Sequence, residues 1–219
     1  TDKAEQNELL KQLNRFESKY DPQLREELAA AENRSRSGEP FHGRHVHLLY
    51  DSPYCGQFIQ FVTRHFNSQN HDFLLVGNEN EEWRTIDPDT LQLPQVQQIL
   101  LPKDLNTLIQ YLRSGHRIYI HYLLDYICEL ICRLDIRTNL NWLLWGGDLY
   151  NYIDYKMYDA LTAATLNKLG YETSSNAQKH TLSYYYRKAA VRRISTIVTT
   201  NEGDFAYIRR HFLTAANKV

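Results

Sequence analysis

Short apolar runs alternate with helix-patterned segments from residue 45 onward. Continuous runs of this length are typical of strands buried on both faces of a sheet. Between them, apolar residues recur at helical spacing, as in Leu105, Leu108, Ile109 and Leu112. The six predicted strands are residues 45–50, 72–77, 96–101, 117–123, 139–145 and 194–200. The alternation predicts an α/β fold with a doubly wound, mostly parallel, six-stranded Rossmann-like sheet.

The first 40 residues have a different pattern. Leu9, Leu13 and Phe16 lie at helical spacing among charged residues, so residues 1–33 are predicted to form an amphipathic helix that Asp21-Pro22 breaks or kinks. The stretch NRSRSGEPFHG then reads as a linker. We therefore divide the chain into a helical extension with its linker, residues 1–40, and a Rossmann-like domain, residues 41–219.

Composition and charge narrow the class of protein. The 219-residue chain is 42% hydrophobic and 23% charged, with a formal net charge of −1, so no basic field favours nucleic acid. No apolar run approaches the roughly 18 residues of a membrane-spanning helix. The first residues are polar and the three cysteines are too few for a disulfide framework, so we expect a cytoplasmic protein.

Ligands of doubly wound sheets bind beyond the carboxyl ends of the strands. This rule selects the segments 51–55, 77–80, 121–125, 146–150 and 199–204. The first of them contains Ser52 at a predicted helix N-cap and Pro53 at the first helical position. The sequence has no G-x-G-x-x-G fingerprint, no phosphate-binding P-loop and no G-x-S-x-G nucleophile elbow.

Three histidines fall on predicted strands. His45 and His47 alternate and so point to the same face, where a pair near the exposed start of the strand is favoured over a metal site. His121 lies late in the fourth strand, where its side chain can reach the ligand crevice. A structural and a functional role for His121 remain equally open at this stage. Cys128 and Cys132 are interpreted as buried hydrophobic residues rather than metal ligands.

The stretch NWLLWGGDLY ends the fifth strand with two glycines and an acid. Adjacent glycines let a backbone approach a ligand closely or adopt conformations closed to other residues. Asp148 has two candidate roles, the N-cap of the next helix or a crevice carboxylate that binds sugar hydroxyls or acts as a general base.

A later segment mixes aromatic residues with cations. Tyr184, Tyr185 and Tyr186 precede Arg187 and Lys188, and Arg192-Arg193 follow one helical turn later. Such a segment suits either a solvated basic helix face or contact with an anionic membrane surface.

WGGDLY, residues 145–150, resembles the W-G-x-D-L-Y signature of the 4-α-L-fucosyltransferase family. These bacterial enzymes transfer N-acetylfucosamine from a dTDP-sugar to a lipid-linked oligosaccharide. RIYIHYLLD, residues 117–125, and VTTNEGDFAYIRRHF, residues 198–212, resemble the family's histidine-ended strand and its strand, Gly-Asp pair and helix. Two departures are the N-terminal helix, which has no counterpart, and Tyr122, where the family tends to have glycine.

The resemblance implies the acceptor-binding, N-terminal half of a GT-B glycosyltransferase, acting in polysaccharide biosynthesis. It implies a nucleotide-sugar donor, a glycan acceptor and no metal or other cofactor, and the chain alone is expected to lack transfer activity. Peripheral contact with the inner membrane and self-association through residues 1–33 are further expected interactions. The implied catalytic residues are Asp148 and His121, and the implied substrate-binding residues are Trp145, Gly146, Gly147, Tyr150, Ser52 and Asp204.

A non-catalytic Rossmann-like module is the alternative. In that case residues 1–33 would dock a partner, and deletion of residues 1–40 would abolish association. Under the first hypothesis the same deletion would leave ligand binding unchanged, whereas Asp148→Asn would impair it.

Overall fold

The computed structural model describes residues 43–66, 68–78, 85–112, 116–134, 139–150, 160–169 and 181–219. Their strands form one seven-stranded sheet in the order β3-β2-β1-β4-β5-β6-β7, and every pairing is parallel. The strands are β1 His45–Leu49, β2 His71–Asn78, β3 Val96–Leu101, β4 Arg117–His121, β5 Asn139–Leu143, β6 Thr196–Val198 and β7 Asn217–Lys218.

Helices connect these strands. Within the described ranges they are α1 Pro53–His65, α2 Pro88–Leu91, α3 Leu105–Leu112, α4 Asp125–Arg133, α5 Gly147–Tyr150, α6 Ala160–Lys168, α7 Leu182–Arg193 and α8 Glu202–Phe212, with a 3₁₀ turn at Ser68–Asn70. None of these described helices has both the length and the apolar character needed to cross a bilayer.

The core is divided between the two faces of the sheet. Alternate strand residues point to opposite faces, so Leu48 packs in one cluster and Leu49 in the other. The smaller cluster is covered by α1, through Ile59 and Val62. We call this side the α1 face. The larger cluster lies under α3, α4, α7 and α8, and we call that side the α7 face. Helices on both faces of a parallel sheet confirm the predicted doubly wound α/β class.

All six predicted strands are present, and the prediction for 96–101 matches β3 in both bounds. The prediction missed β7, because two residues carry no periodic pattern. The short helix α2, which has Asp87 as its N-cap, lies between β2 and β3 and was not among the predicted elements. Residues 1–42 lie outside the described residues, so the helix of residues 1–33, its linker and the domain boundary at residue 40 stay predictions.

The predicted start of α1 is confirmed. Ser52 is its N-cap, and the Ser52 hydroxyl accepts a hydrogen bond from the backbone N–H of Cys55 at 3.2 Å. Pro53 occupies the first turn, where a backbone N–H would have no partner inside the helix. The cap fixes where the chain leaves β1 and therefore where α1 begins at the carboxyl edge of the sheet.

Candidate functional site

The order of the strands reverses between β1 and β4, and the loops after these strands meet there. Tyr50 follows β1 and Tyr122 follows β4, and their rings lie 5.0 Å apart. The loop after β5 joins them, because the indole of Trp145 lies 5.8 Å from the ring of Tyr54. A reversal point at the carboxyl edge is where doubly wound sheets bind ligands. We call this place the crevice.

His121 ends β4 at the crevice and is 1% exposed. Its side chain lies on the α1 face, with the ring centroid 4.4 Å from Phe58 of α1 and 6.4 Å from Trp145. Nε2 of His121 is 3.0 Å from Nδ1 of His47, whereas Nδ1 of His121 is buried without a hydrogen-bond partner. A buried polar atom without a partner is uncommon in folded proteins, and a water molecule, an ion or a ligand group would satisfy it.

Burial lowers the pKa of His121 to about 3. The imidazole is therefore neutral at pH 7, with one nitrogen as donor and the other as acceptor. It can accept a proton from a hydroxyl group, but it cannot hold a full positive charge in this environment without cost.

Asp148 is also 1% exposed, but each of its carboxylate oxygens has a protein partner. Oδ2 accepts from the indole Nε1 of Trp142 at 2.7 Å and from the backbone N–H of Leu123 at 3.1 Å. Oδ1 accepts from the backbone N–H of Trp145 at 3.2 Å. Burial raises the pKa of Asp148, and these hydrogen bonds oppose the shift. The carboxylate ties the segment after β4 to β5 and to the loop that follows it.

The two implied catalytic residues lie on opposite faces of the sheet. Asp148 contacts Trp142 and Arg187, which belong to the α7 face, whereas His121 contacts His47 and Phe58 on the α1 face. The structure therefore does not place both groups against one reacting atom. Asp148 also lies within the first turn of α5 rather than before it, so the alternative role as an N-cap is wrong.

The two adjacent glycines have different local environments. Gly146 has φ 92°, a backbone conformation that residues with a side chain rarely adopt. Gly147 leaves space for its neighbour, because a Cβ built there would lie 2.9 Å from the hydroxyl oxygen of Tyr122. Close approach at Gly147 is thus made by a tyrosine of the same chain.

Tyr122 itself has φ 81°, an uncommon value for a residue other than glycine. Strained backbone of this kind costs on the order of 1–3 kcal/mol and is concentrated at functional sites. In Tyr122 the strain lies directly after His121, at the mouth of the crevice.

The implied substrate-binding residues occupy different environments. Trp145 is 40% exposed at the crevice, whereas Ser52 is buried under its capping bond. Asp204 is buried in the first turn of α8, behind the Asn201 cap, and it follows β6, two strands away from β4. The side chain of Tyr150 lies outside the described part of the structure. Trp145 and His121 are therefore the members of the set that lie within ring-contact range of each other.

The environment of Arg187 contradicts the expectation that its segment presents a solvated basic face or contacts a membrane. It is 1% exposed and donates to the backbone oxygen of Asp148 at 2.9 Å, to that of Leu123 at 2.5 Å and to Asp125 at 3.1 Å. Arg193 is also buried and donates to the backbone oxygen of Ile131 at 2.6 Å. Neither cation belongs to a solvated or membrane-facing surface, because both bind backbone carbonyls inside the fold.

Sequence reasoning also missed a cluster of histidines on the α1 face. His45 and His47 do share a face, as predicted, but His47 is 5% exposed and not at an exposed strand start. Its Nε2 lies 2.9 Å from Nδ1 of His71. Among the residues that the structure describes, no group of three or more His, Cys, Asp or Glu side chains is arranged to hold a metal ion.

A cavity of about 290 Å³ opens at the carboxyl ends of β2 and β3, on the α7 face. Asn78, Leu101, Leu105 and Arg133 are among the residues that line it. No residue of the implied site lines this cavity, so the crevice at β1 and β4 is a separate feature.

Comparisons of the chain with protein-family models, with curated proteins and with solved structures found no match.

Proposed function

We propose that the crevice binds the acceptor of a sugar-transfer reaction and that His121 accepts the proton of the attacking hydroxyl group. The observation that carries the proposal is the buried, unpartnered Nδ1 of His121 at the reversal point of the sheet. Glycosyl transfer needs a base on the acceptor hydroxyl group, and a neutral imidazole has the required lone pair.

The exposed aromatic rings support a saccharide as the ligand. Tyr54 is 61% exposed and Trp145 is 40% exposed, and their rings contact each other beside His121. Ring faces provide apolar area against the C–H face of a sugar, while the phenol and the indole N–H supply polar contacts. The acceptor would approach from the side of Trp145, because Phe58 on the other side belongs to α1.

The resemblance to the 4-α-L-fucosyltransferase family gives the substrate class, a nucleotide-sugar donor and a lipid-linked glycan acceptor. Tyr122 stands where the family tends to have glycine, but its backbone conformation still supports the resemblance. A φ of 81° is a value that glycine adopts readily, so Tyr122 keeps a conformation suited to the family's glycine. Asp148 supports the site as a positioning residue, since it holds the backbone of Leu123 and Trp145 on both sides of the crevice.

Acceptor binding tests this function without requiring turnover. The full chain would be titrated with a short-chain prenyl diphosphate disaccharide while the Trp145 indole and the His121 imidazole are followed by NMR. We expect saturable shifts of both signals, a loss of affinity in Trp145→Ala, and little change in Phe61→Ala, whose ring is 54% exposed elsewhere on α1. Equal affinity of the Trp145→Ala variant and the wild type would refute acceptor binding at the crevice.

A donor-side test is separate. A nucleotide-sugar alone should cause no saturable shift of the His121 signals, because the proposal assigns the crevice to the acceptor. Saturable binding of the nucleotide-sugar with direct shifts of His121 would reassign the crevice to the donor.

A further inference from the structure

Three histidines form a diagonal row across three neighbouring strands of the α1 face. His71 begins β2, His47 lies in the middle of β1, and His121 ends β4. The register places His45 opposite His71 and His47 opposite Tyr119, so each step to the next strand advances the row by two residues. The row therefore runs from the amino edge of the sheet to the crevice at its carboxyl edge.

The rings of the row are joined by hydrogen bonds through defined nitrogens. Nδ1 of His71 lies 2.9 Å from Nε2 of His47, and Nδ1 of His47 lies 3.0 Å from Nε2 of His121. Each imidazole uses a different nitrogen toward each neighbour. The row is thus continuous from His71 to the unpartnered Nδ1 of His121.

Aromatic rings enclose the inner part of the row. Phe73 and Tyr119 stack on His47 with centroids 5.1 and 5.0 Å away, and Phe58 packs against both His47 and His121. His47 and His121 are consequently shielded from water, whereas His71 is half-buried at the open end.

Polar groups gather at the outer end. The Arg44–Asp72 ion pair lies beside His71, and the Arg44 guanidinium donates to the backbone oxygen of His71 at 3.4 Å. The ring of His45 stacks on that of His71, with the centroids 4.9 Å apart. The Nδ1 atom of His45, however, lies 3.1 Å from the hydroxyl of Tyr119, which is not part of the row. His45 is therefore a neighbour of the row and not a member of it.

Neutral imidazoles in such a row must share one tautomer. If the proton of His47 is on Nε2, it is donated to Nδ1 of His71, and Nδ1 of His47 must accept from Nε2–H of His121. The opposite arrangement has all three protons on Nδ1. A mixed row would place two N–H groups or two lone pairs against each other across about 3 Å.

We propose that this row is a proton relay that connects the crevice to the amino edge of the sheet. Its use in catalysis rests on the proposed function of His121, whereas the relay itself is a property of the folded chain. When an acceptor O–H bond breaks, its proton bonds to Nδ1 of His121. The Nε2 proton of His121 passes to Nδ1 of His47, the Nε2 proton of His47 passes to Nδ1 of His71, and the Nε2 proton of His71 passes to water.

The hydroxyl oxygen keeps the electron pair of its broken O–H bond and forms the bond to the sugar, while the nucleotide diphosphate leaves with the electron pair of its own C–O bond.

No ring of the row carries a net charge once the proton shift is complete. This matters because burial lowers the pKa of His121 to about 3, and burial together with His121, His71 and His45 lowers the pKa of His47 well below its usual value. A single buried histidine would have to hold an imidazolium at this position, whereas the row passes the proton on. The reverse shift restores the row after the product leaves.

Imidazole ¹⁵N NMR of the 219-residue chain tests the relay without any ligand. At pH 7.5 we expect His71, His47 and His121 to be neutral and to report the same tautomer. Different tautomers on neighbouring rings, or a positively charged His47, would overturn the relay. Because this measurement uses the wild type, it does not depend on whether a variant folds.

A variant tests proton movement along the row. His71→Phe keeps a ring that can stack on His45 and His47 but removes the outer nitrogens. We expect the imidazole N–H of His121 to exchange with D₂O roughly tenfold more slowly in this variant, since its path to water is cut. His65→Gln, at an exposed position on α1, is the matched control and should leave the rate unchanged.

An unchanged exchange rate in His71→Phe would show that His121 exchanges directly through the crevice and would contradict the relay. Stoichiometric Zn²⁺ binding that shifts all three rings together would show a metal site instead and would also overturn it. If the tautomer and exchange results hold but no saccharide binds, the relay stands and the proposed function fails.

Discussion

The hydroxyl of Tyr122 occupies the space that a side chain at residue 147 would need. A Cβ built on Gly147 lies 2.9 Å from that oxygen but 3.4 and 3.6 Å from the nearest ring carbons of Tyr122. The conflict is thus confined to the hydroxyl group. Gly147→Ala should lower the free energy of unfolding by about 1–2 kcal/mol, as expected for overpacking.

A double-mutant cycle isolates this contact. Tyr122→Phe removes the hydroxyl, so Gly147→Ala should cost about 1 kcal/mol less in the Phe background than in the wild type. Urea denaturation of the four proteins measures the coupling. Strict additivity would mean that Tyr122 is not what keeps residue 147 small.

Asp148→Asn should destabilise the fold by about 2–3 kcal/mol. Oδ2 of Asp148 accepts from both Trp142 and Leu123, and Oδ1 accepts from Trp145. An asparagine has one acceptor oxygen, so its amide group would meet at least one N–H without a lone pair to offer. The measurement is again urea denaturation, followed by intrinsic tryptophan fluorescence. A variant as stable as the wild type would contradict the fastening role of Asp148.

Arg187→Lys should cost about 3 kcal/mol, because a lysine cannot reach the three acceptors that the guanidinium fork binds. The acceptors belong to Asp148, Leu123 and Asp125. Lys188→Met in the next position is the control and should change stability by no more than about 0.5 kcal/mol. Thermal unfolding measures the stability of both variants. Similar losses for the two would show that the buried guanidinium of Arg187 does not stabilise the fold more than an ordinary surface cation.

Stability should fall as the pH falls below about 6.5, because buried histidines are neutral in the folded chain and charged in the unfolded one. The folded pKa of His121 is about 3 and its ordinary value is 6.5. A base whose folded pKa is lowered contributes its full stability above the unfolded pKa and loses it as the pH falls toward the folded pKa. Between pH 7 and pH 5 this single group accounts for about 2 kcal/mol.

Comparing the wild type with His121→Gln measures how much of the stability loss at low pH comes from His121. Both proteins carry His47 and His71, whose pKa values are also lowered. Both also carry Asp72, whose lowered pKa makes stability fall further at lower pH. The variant should therefore lose about 2 kcal/mol less than the wild type between pH 7 and pH 5. Parallel curves for the two proteins would contradict the neutral state of His121.

Trp145→Ala should weaken acceptor binding at least about tenfold while changing stability by less than about 1 kcal/mol. The indole is 40% exposed, so little of its area supports the core. Calorimetric titration measures the affinity, and thermal unfolding measures the stability. A large loss of stability would assign Trp145 to packing against Tyr54 and His121 instead.

Local features were predictable from the sequence, and partnerships between distant segments were not. Capping at Ser52 depends on three neighbouring residues, and the run at 96–101 is ended on both sides by prolines, so sequence located both. The shared face of His45 and His47 also follows from the period of a strand. Their contact with His71 and His121 depends on the strand order, which no local pattern specifies.

Arg187 shows the same limit for charge. Its segment looks like a basic helix face, because helical spacing says which side chains point together and not what they meet. The acceptors of Arg187 are backbone carbonyls of residues 123 and 148, which sequence type does not identify. The glycine pair could be singled out from the sequence, but the Tyr122 hydroxyl that a side chain at residue 147 would meet lies 25 positions earlier in the chain.

The position of β3 at one edge of the sheet affects how copies of this chain meet in concentrated solution. An edge strand can template another strand, and β3 exposes Gln97 and Gln98. Pro94 and Pro102 bracket the strand, and each lacks the N–H that an added strand would need beyond the six residues of β3. The opposite edge, β7, offers only two residues. Intermolecular sheet growth from either described edge would thus be limited to the six residues of β3 or the two of β7.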